Sequence, residues 1–166
     1  MSHDHATVAE EEYLQTIFWL QEAGLPMTGA NVARAMQLSA PTVHEMIGRL
    51  ERDGYVTRAS DKTLAFTENG REHAEGVVRR HRLIERFLTD VFDIPWDEVH
   101  EEAERLEHWM SPTVEERMLK AIGDAQTCPH GPGDVGPRDG QAGLLQPVHG
   151  LEVLLLGDRC LLVRHD

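Results

Sequence analysis

The stretch MTGANVARAMQLSAPTVHEMIGRLERDGYV, residues 27–56, decides the fold of the first half of this chain. Thr28 is placed to cap a short helix, and the turn QLSAP that follows leads into a second helix. Ser39 is a suitable cap for that second helix, and Pro41 lies in its first turn, where a missing N–H costs nothing. The apolar residues of the second helix fall on one face, at Val43, Met46, Ile47 and Leu50. Two short helices joined by so tight a turn predict a helix-turn-helix.

The residues after this pair predict a small β-hairpin. YVTRAS (55–60) and TLAFT (63–67) are short β-type runs joined by a two-residue turn. A helix-turn-helix followed by a hairpin is a winged helix. An ordinary helical hairpin packed into a core is the alternative, but the outer face of the second helix is polar and partly basic, which favours DNA binding. That face carries Thr42, His44, Glu45, Arg49 and Arg52.

The net charge of −13 is unevenly distributed along the chain. Residues 26–82 carry nine positive and seven negative side chains, whereas residues 83–124 carry four positive and twelve negative. A mildly basic segment beside a strongly acidic one indicates separate functions for the two regions. No apolar run is long enough to span a membrane, and the N-terminus lacks a secretory pattern. Cys128 and Cys160 give no disulfide framework, so a cytoplasmic protein is expected.

Apolar spacing predicts four further helices. They cover residues 7–23, 68–92 and 111–123, and one that begins at Pro95 contains EEAERLEHWMS, residues 101–111. The buried side of this last helix is predicted to carry Val99, Leu106, Trp109 and Met110. The Gly- and Pro-rich residues 127–150 predict a linker, and two apolar runs within 151–166 predict a short hairpin.

Histidines and glutamates recur at ligand spacing on two successive helices of the acidic segment. His81 and Glu85 are four residues apart, as are His100 and Glu104, and Glu104 and His108; Glu107 lies on the same stretch. Side chains at this spacing converge on one ion, which would relieve the repulsion between like charges. Solvated surface residues are the alternative for any single pair, but the number of pairs favours a metal site. Carboxylates with imidazoles and no thiolate favour Mn²⁺ or Fe²⁺.

Several motifs together resemble the diphtheria-toxin-repressor family of metal-dependent transcriptional regulators. These are EEYLQTIFWL, SAPTVHEMIGRLERDGYV, RHRLIERFLTD, VHEEAERLEHWMS and CPHG, and the resemblance covers residues 9 to about 131. It implies a mainly α chain with four parts, in which a third, SH3-like domain is absent or truncated. The parts are a winged-helix DNA-binding domain (1–72), a helical metal-binding and dimerisation domain (73–126), a linker (127–150) and a C-terminal hairpin (151–166).

The resemblance also implies two metal sites in each chain. The ancillary site matches His81, Glu85 and His100, and the regulatory site matches Glu12, Glu104, Glu107 and His108. Glutamate at 104, where iron-responsive members have cysteine, resembles the manganese-responsive branch, and Glu12 agrees with it. Gln15 stands where that branch often has a second acid, which implies two separated ions rather than a closely bridged pair.

For DNA, the family's base-contacting turn matches Ser39, Pro41 and Thr42, and Glu45 replaces the glutamine or lysine more frequent in relatives. A homodimer is implied, with apolar interface residues Trp96, Trp109, Met118, Leu119 and Ile122. Two helices then contact inverted-repeat half-sites of double-stranded operator DNA, and Mn²⁺, or Fe²⁺, acts as corepressor of metal-uptake genes. The two alternatives are a winged-helix regulator of a non-metal ligand and a di-metal carboxylate enzyme.

Overall fold

The computed structural model describes residues 6–95, 98–122, 127–128, 131–134, 151–155 and 160–164. The chain divides into two compact units, Met1–Gly76 and Val77–Asp166. Helix α4, defined below, begins in the first unit and continues into the second. Within the described ranges, every helix is too short or too polar to cross a membrane.

The first unit opens with three helices, α1 (Val8–Glu22), α2 (Gly29–Met36) and α3 (Ala40–Arg52). The side chain of Thr28 caps α2 by accepting from the Asn31 N–H at 3.3 Å, and that of Ser39 caps α3 by accepting from the Thr42 N–H at 3.3 Å. Gln37, the residue after α2, has a φ of 54°, which turns the chain sharply towards α3. The predicted helix-turn-helix is therefore confirmed.

The predicted wing is also confirmed. Strands β1 (Val56–Arg58) and β2 (Leu64–Phe66) pair antiparallel, with Thr57 opposite Ala65. The Asp61 carboxylate accepts from the Thr63 N–H at 2.9 Å, which closes the turn between the strands.

Apolar side chains from the three helices and the wing form one core in the first unit. Its fully buried members include Leu14, Ile17, Val32, Leu50 and Leu64. Helix α4 (Glu68–Phe92) joins this core through its first turn, where a Cβ on Gly70 would lie 1.7 Å from the Tyr55 carbonyl oxygen. Only glycine permits that approach, so the start of α4 is fixed against the wing.

The second unit contains the rest of α4 with α5 (Val99–Leu106) and α6 (Pro112–Ala121). Ser111 caps α6 by accepting from the Val114 N–H at 3.4 Å, and Pro112 occupies the first helical position. A small core joins α4 to α5, with Ile84, Leu88, Val99 and Ala103 buried and Met118 packed beside them.

The prediction that residues 101–111 form one continuous helix is wrong. Helix α5 ends at Leu106, and residues 107–109 form a turn before α6 begins. The Glu107 carbonyl accepts from Arg80 Nε of α4 at 2.9 Å, and Pro112 requires the residue before it to be extended. As a result Leu106 and Trp109 are 43% and 80% exposed rather than buried. Trp96 lies outside the described residues.

The described C-terminal residues form two pairs of strands. Strands β5 (Leu151–Leu155) and β6 (Cys160–Arg164) pair antiparallel, in the range where the sequence predicts a hairpin. Strands β3 (Thr127–Cys128) and β4 (Gly131–Asp134) also pair antiparallel, inside the range predicted as linker. Composition misses them because they are very short and Gly-rich, and their register shifts between Thr127 and Cys128. The rest of that range lies outside the described residues.

Candidate metal centre and the outer face of α3

Two helices of the second unit bring His81, Glu85 and His100 together. His81 and Glu85 lie one turn apart on α4, and His100 lies in the first turn of α5. His81 Nε2 is 3.0 Å from Glu85 Oε1 and 3.0 Å from His100 Nδ1, and His100 Nδ1 is 3.3 Å from Glu85 Oε1. His81 and Glu85 are buried, and His100 is partly so. These are the three residues that the sequence predicts for the ancillary site.

The protonation of the two imidazoles follows from their acidic neighbours. Burial disfavours the imidazolium form of His81, but the charge of Glu85 and the hydrogen bond to Glu107 outweigh it and raise its pKa to about 10. Burial likewise opposes the charged form of His100, and hydrogen bonds to Glu104 and Glu85 outweigh it and raise the pKa of His100. His81 therefore carries a proton on both ring nitrogens at neutral pH when no metal is bound.

The donor set fits a first-row divalent cation. It offers two imidazole nitrogens and one carboxylate oxygen, all within 4.8 Å of one another, and includes no thiolate. A buried group of this kind has few water molecules to displace and a rigid support on two packed helices. This cluster of His81, Glu85 and His100 is called the histidine centre below.

Glu107 is placed against the histidine centre by contacts from α4. Its carboxylate is fully buried, with Oε2 2.5 Å from His81 Nδ1, while Arg80 holds its carbonyl. Its other oxygen, Oε1, is 3.4 Å from His108 Nε2. The sequence assigns Glu107 to the regulatory site and gives no sign of the contact with His81, because that contact joins residues 26 apart through the end of α5.

Of the four residues predicted for the regulatory site, Glu104 lies beside the histidine centre. The Glu104 side chain is 46% exposed, and its Oε1 lies 3.2 Å from His100 Nε2. Glu12, the remaining residue of the predicted set, lies on α1 in the first unit and is partly buried.

The outer face of α3 is exposed along its length. All six residues predicted to contact DNA are exposed, namely Ser39, Pro41, Thr42, His44, Glu45 and Arg49. The hydroxyls of Ser39 and Thr42 are 2.7 Å apart at the N-terminus of α3. The first turn of a recognition helix is the part that contacts base edges in other helix-turn-helix proteins.

Arg49 has a partner that the sequence analysis did not assign. Its Nε is 2.9 Å from Oε1 of Glu10, a buried residue in the first turn of α1. The spacing of Thr7 and Glu10 in the sequence is that of a capping box, which gives Glu10 a local role. It gives no sign that Glu10 also contacts α3.

Comparison with known proteins gives a consistent assignment over most of the chain. Residues 5–64 match the model described as iron dependent repressor, N-terminal DNA binding domain. Residues 67–134 match the model described as iron dependent repressor, metal binding and dimerisation domain.

Two curated relatives illustrate the likeness in sequence. The iron-dependent repressor IdeR of Mycobacterium tuberculosis is 45% identical over 137 residues, covering 78% of this chain and 60% of that protein. The diphtheria toxin repressor of Corynebacterium diphtheriae is 40% identical over 148 residues, covering 89% of this chain and 59% of that protein. The chain thus spans about three fifths of the length of these relatives.

Solved structures agree with this assignment. The manganese regulator SloR superimposes with a TM-score of 0.69 at 35% identity, over 77% of this chain and 59% of that one. A manganese-dependent transcriptional repressor in complex with manganese gives 0.71 at 34% identity, over 86% of this chain and 63% of that one. Since two adjoining models of one family account for residues 5–64 and 67–134, and the sequence and structural relatives agree with them, the chain belongs to the iron-dependent repressor family.

Proposed function

We propose that this protein is a metal-activated, DNA-binding transcriptional repressor in which Mn²⁺ or Fe²⁺ acts as corepressor. The observation that carries the proposal is the buried convergence of His81, Glu85 and His100 in a chain in which the outer face of α3 is exposed. The alternative of a di-metal enzyme is set aside because both family models describe parts of a repressor. A regulator of a non-metal ligand would leave the histidine centre without a role.

The proposal assigns two metal sites to each chain. The histidine centre is one, and the second uses Glu12, Glu104, Glu107 and His108, as the resemblance of the sequence implies. Glu104 also lies beside the histidine centre, with its Oε1 3.2 Å from His100 Nε2. When bound, the cation supplies two positive charges and a fixed set of coordination directions to side chains from separate parts of the chain.

Manganese is favoured over iron by the donor types. Carboxylates and imidazoles without a thiolate suit Mn²⁺, and the SloR structure is that of a manganese regulator. One of the curated relatives, IdeR, is named an iron-dependent repressor, so iron is the competing corepressor. The regulated genes are then those for uptake of whichever cation is bound.

The second unit supports a homodimer. The Phe92 and Trp109 side chains are 62% and 80% exposed, and Met118, Leu119 and Ile122 are half-buried. Large exposed aromatic side chains such as these are frequent in interfaces between proteins. Two copies of α3 in a dimer would bind two half-sites of an inverted repeat in double-stranded DNA.

The test is a DNA titration with and without metal. A duplex is first selected from a randomised pool by the full-length protein in MnCl₂, and its affinity is then measured by fluorescence anisotropy. Metal is expected to tighten binding by about 5- to 150-fold, the usual range of coupling between linked sites. Glu85→Ala should remove most of this gain, whereas the matched variant Glu68→Ala, at the exposed start of α4, should retain it. Equal affinity with Mn²⁺, with Fe²⁺ under anaerobic conditions and with chelator would reject metal activation.

A further inference from the structure

An ion pair ties the first turn of α1 to the last turn of α3. Glu10 Oε1 lies 2.9 Å from Arg49 Nε, and the two side chains are 4% and 45% exposed respectively. The second acid near Arg49 is Asp53, one turn further along α3 at 3.7 Å. Glu10 thus binds the arginine from the protein interior, while nearly half of the arginine side chain faces solvent.

The hydrogen bonds of Glu10 fix its position independently of Arg49. Its Oε2 accepts from the Thr7 N–H at 2.6 Å and from the Thr7 hydroxyl at 2.7 Å, which completes the capping box of α1. A buried carboxylate that accepts two hydrogen bonds at one oxygen is held in place, and its other oxygen, Oε1, faces Arg49. Because a guanidinium is planar, an anchored Nε also sets the direction of its two terminal nitrogens.

The location of Arg49 on α3 indicates what those nitrogens would contact. Arg49 lies in the last turn of the helix, next to Arg52, whereas base edges are contacted from the first turn. Arginine is a frequent ligand of phosphate oxygens, and such contacts position the protein on the duplex. A phosphate that approaches from solvent also meets the exposed guanidinium before the buried carboxylate.

We propose that Glu10 is a positioning residue for DNA binding, which holds Arg49 so that its terminal nitrogens bind one backbone phosphate. This inference rests on the proposed DNA-binding function. Under this proposal the first turn of α1, which carries Glu10 two residues before Glu12, also helps to position the DNA contacts.

The test is the salt dependence of DNA affinity in full-length Glu10→Ala, Arg49→Gln and the double variant, with saturating MnCl₂ and the selected duplex. Loss of one phosphate contact lowers the slope of log affinity against log KCl by about 0.9. Arg49→Gln should show this change together with about tenfold weaker binding, as for a lost hydrogen bond to a charged group. Glu10→Ala should also lower the salt slope and weaken binding. The double variant should bind no more weakly than Arg49→Gln alone.

Thr7→Ala is the matched control. It removes the hydroxyl half of the α1 cap but keeps the Thr7 N–H, 2.6 Å from Glu10 Oε2, and the Glu10 carboxylate itself, so the salt slope should change less than in Glu10→Ala. Glu10→Gln, which preserves shape, serves if Glu10→Ala does not fold, as judged by circular dichroism, and a smaller slope is again expected.

Four results would overturn the inference. Tighter binding by Glu10→Ala would mean that the acid masks Arg49 rather than positions it. An unchanged slope, or losses that add in the double variant, would mean that Glu10 acts only through the stability of α1. If the wild-type protein bound no duplex in any metal, the proposed function itself would be rejected, and this inference with it.

Discussion

Metal binding at the histidine centre should release protons, in a number set by His81 and His100. The pKa of His81 is raised to about 10, so its imidazole is fully protonated at pH 7 in the metal-free protein. A cation that binds Nε2 must displace the proton there, whereas the proton on Nδ1 remains in the 2.5 Å hydrogen bond with Glu107. His81 therefore releases about one proton, and His100, whose pKa is also raised, adds a further fraction.

The expected magnitude follows from linkage. For each proton released, metal affinity should increase about tenfold per pH unit, or about 1.4 kcal/mol, over the range between neutral pH and the pKa of His81. Between pH 6.5 and 7.5 the affinity for Mn²⁺ should thus increase about 10- to 100-fold, for between one and two protons. The pKa of the metal-free imidazole, and not only the identity of the ligands, sets the pH at which the site fills.

Isothermal titration calorimetry measures this directly. MnCl₂ is titrated into metal-free protein at one pH in two buffers of different ionisation enthalpy, and the difference in heat gives the number of protons released. His44→Gln, on the exposed outer face of α3, is the control and should leave that number unchanged. Binding of Mn²⁺ with no proton release would refute the reasoning, since it would mean that His81 is either neutral beforehand or not a ligand.

Three further predictions concern the same chain. Gly70→Ala should destabilise the protein by about 3 kcal/mol in urea unfolding, because its Cβ would lie 1.7 Å from the Tyr55 carbonyl oxygen; an unchanged midpoint would contradict the packing described. Glu85→Ala should weaken calorimetric Mn²⁺ binding more than Glu104→Ala, because the Glu85 carboxylate contacts both imidazoles and is 4% exposed, against 46% for Glu104; the reverse order would place the site elsewhere. Because the folded state raises the pKa of His81, its stabilising contribution is complete below about pH 6.5 and is lost as the pH rises through about 10. Urea unfolding of metal-free protein should therefore show a decline over that range that His81→Gln lacks.

Local rules of sequence were sufficient for most of the fold. Thr28 and Ser39 are N-caps because a short hydroxyl side chain satisfies an N–H left free in the first turn, whatever the rest of the molecule does. Helix α4 begins and ends where predicted, at residues 68 and 92, because its apolar residues recur at helical spacing over many turns. The grouping of His81 with Glu85 follows in the same way from their spacing on one helix.

What the sequence could not specify depends on contacts between residues far apart along the chain. Helix α5 ends at Leu106, and the carbonyl of the next residue, Glu107, accepts from Arg80 of α4, a partner that no periodicity within 101–111 encodes. The contact of the Glu107 carboxylate with His81 is likewise between residues far apart in sequence. The pairing of Glu10 with Arg49 is hidden for the same reason, since the capping pattern accounts for Glu10 without reference to α3.

The crowding of acids around α5 is explained by the charges that the histidines carry. In the metal-free protein, protonated His81 places its positive charge between the carboxylates of Glu85 and Glu107, which lie 3.0 and 2.5 Å from its ring nitrogens. A divalent cation that displaces the Nε2 proton of His81 replaces one positive charge by two, and so balances the charges of these two carboxylates. Burying net charge is the main cost of an ionic interior site, and the exchange of a proton for a dication lowers it. A monovalent cation that displaced the same proton would leave one carboxylate uncompensated, so the arrangement favours divalent ions before any coordination geometry is considered.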